Sequence, residues 1–325
     1  MLGARPARFR RQRLLIVGCG DVGLRVLRLA PRGVRSFALT STPARAPELR
    51  RAGATPLAGD LDHAASLRRL AGIAHRVLYL APPPGQGPGD PRIRSLLLAL
   101  RRRTAPTALV YGSTSGVYGD CAGALVAETR TPAPSTARAK RRLDAERRVR
   151  QFGRGAGVRS TILRIPGIYA LNREGGTPRE RLEKRTPALV PQDDVFTNHI
   201  HADDLARACL ASLWRGRPQR VINVNDDTRL TMGEWFDLAA DLFGLPKAPR
   251  ITRAQAQTEL SPALLSFMSE SRRMTNTRMK RELRLALWYP TVVDGLKTTK
   301  LIAENHHWTR GEGHFLLQND VKIER

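Results

Sequence analysis

Four aliphatic residues, Leu14-Leu15-Ile16-Val17, run directly into Gly18-Cys19-Gly20-Asp21-Val22-Gly23, and a helical pattern follows. No other stretch of the chain restricts the fold as strongly. A buried strand that ends in glycines and turns at once into a helix opens a strand–helix–strand unit. Each glycine meets a separate steric demand. The first permits the tight turn, the second lets backbone approach a pyrophosphate, and the third lets helix pack on strand. The helix N-terminus then offers unpaired N–H groups and a positive dipole end to phosphate. A GxGxxG string alone is a weak signal, but between a strand and a helix it is a specific one. Gly18, Cys19, Gly20, Asp21, Val22 and Gly23 are the expected dinucleotide contacts.

The alternation continues. Strand-like runs at Leu14–Val17, Val34–Leu39, Ala54–Leu57, Arg76–Leu80, Ala108–Tyr111 and Ser160–Arg164 are separated by helical patterns. The helices are expected near Val22–Leu29, Pro47–Ala52, Ala64–Leu70, Pro91–Arg103 and Thr136–Phe152. This order predicts an α/β fold, a Rossmann doubly wound parallel sheet with helices on both faces. After Pro166 the pattern loosens, and residues 171–196 are rich in Pro, Gly and charge. A strand-like stretch, Phe196–His201, leads into a helix at Ala202–Trp214, and Arg220–Val224 reads as a further strand. Residues 231–300 read as mostly helical, opened by a capping box at Thr231 and Glu234. The expected division is a nucleotide-binding domain over 13–165, to which 196–225 return. A smaller, mostly helical substrate lobe takes 166–195 and 226–300, and 301–325 form a tail.

Composition narrows the class. The 325 residues, 41% of them apolar, suffice for a sizeable core. No apolar run approaches the roughly 18 residues that span a bilayer. The basic first residues lead straight into a strand pattern, without a signal-peptide stretch. The three cysteines, Cys19, Cys121 and Cys209, are odd in number and widely spaced, which argues for a reducing compartment. The expectation is a soluble, cytoplasmic protein, with no membrane partner and a homodimer as its candidate assembly. The net charge of +26 is what a nucleic-acid footprint looks like. Yet the arginines are spread along the chain, as at Arg101–Arg103 and Arg147–Arg148, with no finger motif or aromatic-interleaved strands. They read as a solvated surface, and nucleic-acid binding ranks third among the functions.

The end of the second strand bears on the choice of nucleotide. An NAD site usually carries Asp or Glu there to hold the ribose 2′-hydroxyl. This chain has Thr40, Ser41 and Arg45, with no carboxylate between Asp21 and Glu48. Those groups suit a 2′-phosphate, so NADP is favoured over NAD, while Arg45 as a mere helix start remains an alternative. Asp60 and Leu61 follow the third strand, where such folds cover the adenine.

Further motifs occur in order: Ser113-Thr114-Ser115-Gly116-Val117-Tyr118-Gly119, Leu163-Arg164-Ile165-Pro166-Gly167-Ile168-Tyr169, His199-Ile200-His201-Ala202-Asp203-Asp204-Leu205-Ala206 and Val221-Ile222-Asn223-Val224. With the glycine turn they make the chain resemble the extended short-chain dehydrogenase/reductases, the NAD-dependent epimerase/dehydratase family, over roughly residues 13–298. It looks closest to an atypical bacterial branch. The resemblance implies a Ser/Thr, a Tyr and a Lys at the reacting centre, the last two as YxxxK on one helix. One helical turn separates them, so the ammonium lowers the phenol pKa and the phenol exchanges a proton as hydride moves. Here Thr114 matches the Ser/Thr and Lys140 the Lys, which would hold the nicotinamide ribose. Thr136 stands at the Tyr position, and an aliphatic hydroxyl is too weak an acid to replace a phenol. Tyr118 is the one candidate for a substitute acid/base, but a packing tyrosine of the family's VYG motif is the preferred reading. Ser115 and Gly116 replace the dehydratases' Asp-Glu pair, which argues against sugar-nucleotide dehydration.

Ala81 and Pro82 open a Pro-rich loop where the family runs past the cofactor, either as a pocket wall or as a surface loop. His199, His201, Asp203 and Asp204 carry metal-ligand chemistry, but a structural segment with helix-capping carboxylates is the better reading, and no metal is expected. Cys19 and Cys121 read as space-filling residues rather than reactive thiols. Trp235, Phe236, Leu238 and Leu242 recur at helical spacing and read as core. The expected function is an NAD(P)-dependent oxidoreductase or epimerase-like enzyme acting on a small carbonyl/hydroxyl or sugar-nucleotide-like molecule. The second reading is a non-catalytic NAD(P)-binding redox sensor or regulator.

Overall fold

A computed structural model describes residues 12–297. The tail expected over 301–325 lies outside the described residues. Seven strands form one parallel sheet: β1 (Arg13–Val17), β2 (Arg35–Thr40), β3 (Ala54–Ala58), β4 (Arg76–Tyr79), β5 (Ala108–Thr114), β6 (Arg159–Ile165) and β7 (Arg220–Asn223). Their order across the sheet is β3-β2-β1-β4-β5-β6-β7. It reverses beside β1, where Val17 pairs with Leu39 on one side and Tyr79 on the other. A crevice opens at such a reversal, outside the carboxyl ends of the strands.

Leu14 and Ile16 face one core and Leu15 and Val17 the other, so β1 is buried on both faces and reads as an unbroken apolar run. The first core is closed by α1 (Asp21–Leu29) and by α5 (Ala202–Arg215), through Val26, Leu205, Cys209 and Leu213. The second is closed by α3 (Pro91–Arg101) and α4 (Ala137–Ala156), through Ile93, Leu96, Val149 and Phe152. A short α2 (Ala46–Arg51) covers the sheet edge with Leu49. Asp90 caps α3, accepting from the Ile93 N–H at 3.1 Å, and Pro91 supplies the preset first φ.

Two expected elements differ. Ala64–Leu70 winds as a 3₁₀ helix rather than an α-helix. The Ser66 hydroxyl bonds the Asp60 and His63 carbonyls, competing for the acceptors that an α-turn would use. The stretch Phe196–His201 splits at Asn198 into two short strands. The Asn198 amide donates to the Arg272 carbonyl and accepts from the Met274 N–H, which pulls the backbone out of one ladder.

A separate apolar cluster joins Tyr169, Leu182, Leu189, Trp235, Phe236, Met268 and Leu296 beyond the sheet. Its main helix, α6 (Met232–Phe243), starts at the Thr231–Glu234 capping box. Leu238 and Leu242 pack against this cluster half-buried. Met279, Leu283 and Leu285, from the same C-terminal part of the chain, pack instead into the α1/α5 side of the sheet. No described helix is long and apolar enough to cross a membrane.

Candidate active site

Gly18 leaves β1 with φ +82°, and a Cβ there would stand 2.3 Å from the Ala81 nitrogen, so only glycine fits. Gly20 has nothing within 4 Å of where its Cβ would point, into a cavity of about 250 Å³. That space is the cradle a side chain would fill. Gly20 also starts α1 with no side-chain cap, which leaves the first-turn N–H groups for a ligand. Gly23 lets α1 approach until a Cβ would be 3.0 Å from the Cys19 sulfur. Val22 lines the cavity too. Cys19 is buried and its thiol is pushed up to about 11, so it fills space and is no nucleophile. Cys121 is likewise buried, with its thiol raised by desolvation.

Asp21 opens α1 where anionic ligands would seat, and two guanidinium groups hold it. Arg25 reaches it at 3.1 Å and Arg173 at 2.7 Å. Arg25 also bonds Asn172 and Asp203. The loop after β6 is thus tied to the glycine turn.

At the ribose end, the Thr40 hydroxyl closes a turn, donating to the Thr42 carbonyl at 3.1 Å, while Ser41 is exposed. Arg45 pairs with Glu48 at 2.9 Å. Asp60 is half-buried and uses its carboxylate on the Asp62 N–H, whose hydrogen bond lowers its pKa. Leu61 packs half-buried against the α3/α4 core. Ala81 and Pro82 offer carbonyls to Arg142 (3.1 Å) and Arg92 (3.3 Å).

A second cavity of about 590 Å³ adjoins the first. Thr114, Arg138, Pro166 and Ile168 line both and form the seam between them. Thr114 ends β5 with its hydroxyl accepting from the Gly116 N–H at 3.2 Å. The larger cavity is walled by the chain around Gly167, Gly175–Pro178 and Phe196–His199, and by Trp235 and Phe236 of α6.

The structure corrects the expected partners of Thr114. Lys140 is exposed and lines neither cavity. Successive residues turn about 100° around a helix, so Lys140 lies some 200° from the face that carries Arg138 and Arg142. Those two, one turn apart, are the cleft-facing pair of α4. Arg142 is buried, its Nη1 donating to the Ala81 and Gly112 carbonyls and the Tyr111 hydroxyl. Thr136 caps α4, accepting from the Ala139 N–H at 3.2 Å, and borders only the larger cavity. Tyr118 lines neither cavity: it is 1% exposed, and its hydroxyl donates to Asn223 Oδ1 at 2.7 Å beneath the Arg164 guanidinium. Burial raises its pKa, so it is a packing residue without access to a substrate proton.

Tyr169 and His199 line the larger cavity, whereas His201 and Asp204 lie outside its lining. Tyr169 gives its hydroxyl to the Thr291 carbonyl at 3.1 Å, and burial raises its pKa. His199 is enclosed by Tyr169 and Trp235, and burial pushes it down to about 4, so it is neutral at pH 7. His201 accepts from the Asp203 N–H as the cap of α5 and stacks on Tyr289. Asp204 receives the Trp288 and Tyr289 N–H groups. These four residues tie the chain at 199–204 to Tyr169 and to residues 288–291. Among the described residues, no His/Cys/Asp/Glu cluster is arranged to hold a metal ion.

A glycine turn at the switch point, open over its second glycine and joined to a larger pocket, defines a Rossmann protein whose cleft suits a dinucleotide. The chain belongs to the NAD dependent epimerase/dehydratase family, whose model matches residues 92–225. A functionally unknown conserved protein from Silicibacter pomeroyi is 30% identical, with TM-score 0.75, over 90% of this chain and 99% of that one. UDP-glucose 4-epimerase from Thermotoga maritima, solved with UDP-glucose, is 18% identical with TM-score 0.71 over 90% and 99%. UDP-glucuronic acid 4-epimerase from Bacillus cereus, solved with NAD, is 16% identical with TM-score 0.69 over 88% and 96%. At those identities the two epimerases share the fold. No curated protein matches the chain.

Arg138, Arg142 and Arg173 are the cleft residues that motif reading missed. Ala145, Val149 and Phe152 carried the signal, since their buried stripe continues to Arg142 and, one turn further, points to the exposed Arg138.

Proposed function

We propose that the chain is an NAD(P)-dependent oxidoreductase, epimerase-like in scaffold, acting on a small hydroxyl- or carbonyl-bearing molecule in the 590 Å³ cavity. The seam carries this reading: Thr114 and Arg138 border both the glycine-turn cavity and the larger one, so a reacting carbon beside them touches both compartments. When bound, the dinucleotide supplies a hydride acceptor or donor. In oxidation the carbinol C–H bond gives up its electron pair as hydride, the O–H proton leaves to water, and the carbonyl forms. Thr114 donates a hydrogen bond to the substrate oxygen, and the Arg138 charge favours its alkoxide form. Arg142, fixed by three acceptors, takes the ribose-holding place first read for Lys140. The bilobal division, with residues 166–195 and much of 226–297 serving the substrate, belongs to the same reading.

NADP is proposed over NAD because no carboxylate ends β2, while Thr40, Ser41 and Arg45 stand there. Arg45 must exchange Glu48 for a 2′-phosphate, which keeps the preference modest. Titration with NADPH and NADH, followed by nicotinamide fluorescence, tests the cleft. NADPH is expected to bind more tightly, with Arg45→Ala narrowing the difference; binding of neither nucleotide sinks the reading.

One observation favours a second function, dinucleotide sensing without turnover: among the described residues no phenol or amine faces the seam. A screen of hydroxy acids, oxo acids and sugar nucleotides separates the two. Tight nucleotide binding with no turnover on any of them selects the sensor.

A further inference from the structure

Arg138 stands on the first turn of α4, at the seam of the two cavities. Among the described residues its guanidinium has neither a hydrogen-bond nor an ion-pair partner. The side chain is exposed at the rim of the cleft, yet partial desolvation there disfavours its charge, and Arg142 and Arg141 beside it add repulsion. The wall of the larger cavity gives no relief. Among the described residues its one carboxylate, Glu270, already accepts from Ser135 and pairs with Arg272 at 2.8 Å. His199 brings no charge of its own. A cation that stands among like charges without a partner of its own gains from a ligand that brings the counter-charge. Arg142 does not serve in its stead, because it lines only the smaller cavity.

We propose that Arg138 binds an oxyanion, carboxylate or phosphate, that the substrate carries next to its reacting carbon. This rests on reading the cleft as a dinucleotide-dependent site. The substrate class is then hydroxy or oxo acids, or their phosphorylated counterparts, rather than neutral sugars. Position makes the case specific: Arg138 shares the seam with Thr114, so the group it holds lies within a side chain's reach of the atom that Thr114 addresses. The planar guanidinium presents a fork that fits two oxygens of one anion, which fixes orientation as well as charge. A cavity with its unpaired cation at the distal end would select a remote phosphate instead.

Oxalate and inorganic phosphate are the probes, titrated by calorimetry onto the full chain with and without NADPH. The variants are Arg138→Gln and Arg138→Lys, whose melting curves establish folding. Wild type is expected to bind a probe, and Arg138→Gln to lose about tenfold or more in that affinity, as for a lost charge-assisted fork. Arg138→Lys recovers part of the loss, and it carries the test should Arg138→Gln not fold. Tighter binding of oxalate assigns a carboxylate and tighter binding of phosphate a phosphoryl group. Equal probe affinity in wild type and Arg138→Gln overturns the proposal. So does a parallel loss of NADPH affinity in Arg138→Gln, which would give the guanidinium to the dinucleotide's own phosphates. If wild type binds neither NADPH nor NADH yet binds oxalate through Arg138, the cleft reading falls and the anion site stands.

Discussion

Asp226 is buried, with Oδ1 accepting from the Thr228 N–H at 3.0 Å and Oδ2 without a partner. Burial, reinforced by Asp227 and Asp204, raises its pKa to about 8 from 3.8. The unfolded chain therefore ionises this carboxyl near pH 4, whereas the folded chain holds its proton to about pH 8. Between those values the native state binds more protons, so its stability falls as pH rises. His199 and His201, pushed down to about 4 by burial, act in the opposite sense and cost stability as pH falls from 6.5. Asp226→Asn is expected to raise the melting temperature at pH 8, with the gap closing by pH 4. A gap of equal size at both ends would refute the assignment, and thermal melts over that range check it. None of this was legible beforehand, because a buried and an exposed aspartate in a loop look alike in sequence.

At the scale of elements, α4 decides what the cleft contains. Its inner face carries Arg142, then Glu146, which pairs with the fully buried Arg164 at 2.8 Å and accepts from Ser113 at 2.6 Å. Glu146→Gln leaves Arg164 as an uncompensated buried charge and should cost about 3–5 kcal/mol in urea unfolding. Lys140→Ala, on the solvent side, should leave NADPH affinity within about twofold, since surface changes away from such features are nearly neutral. A larger loss would restore Lys140 to the site. The strands and the glycine turn were readable because burial on two faces writes itself as unbroken aliphatic runs. The face of α4 was not, because its first two turns carry basic residues on every side and Thr136 with Lys140 happened to match the motif spacing. Only the apolar stripe further along sets the phase. Tyr118 was the catalytic candidate only by the position of its loop, which runs past the cleft; its ring turns under Arg164, as the packing alternative had it.

For the whole molecule, nucleotide binding and stability are one equilibrium. NADPH at about 100 times its Kd should add about 2.7 kcal/mol, visible as a rise in melting temperature. Gly18→Ala should abolish that rise, because its Cβ meets the Ala81 backbone at 2.3 Å. Retention of the full shift would show that the glycine turn is not where the nucleotide sits. The large positive charge does not define the fold; many guanidinium groups are spent on local partners, such as Arg25 on Asp21 and Asp203 or Arg220 on Glu282. The pair at Arg138 and Arg142 has a wider consequence. The cap at Thr136 and the stripe below fix where α4 begins and how it is phased, whatever occupies those two positions. Exchanging the side chain at 138 would therefore change what the cleft meets while leaving the helix that presents it as it is.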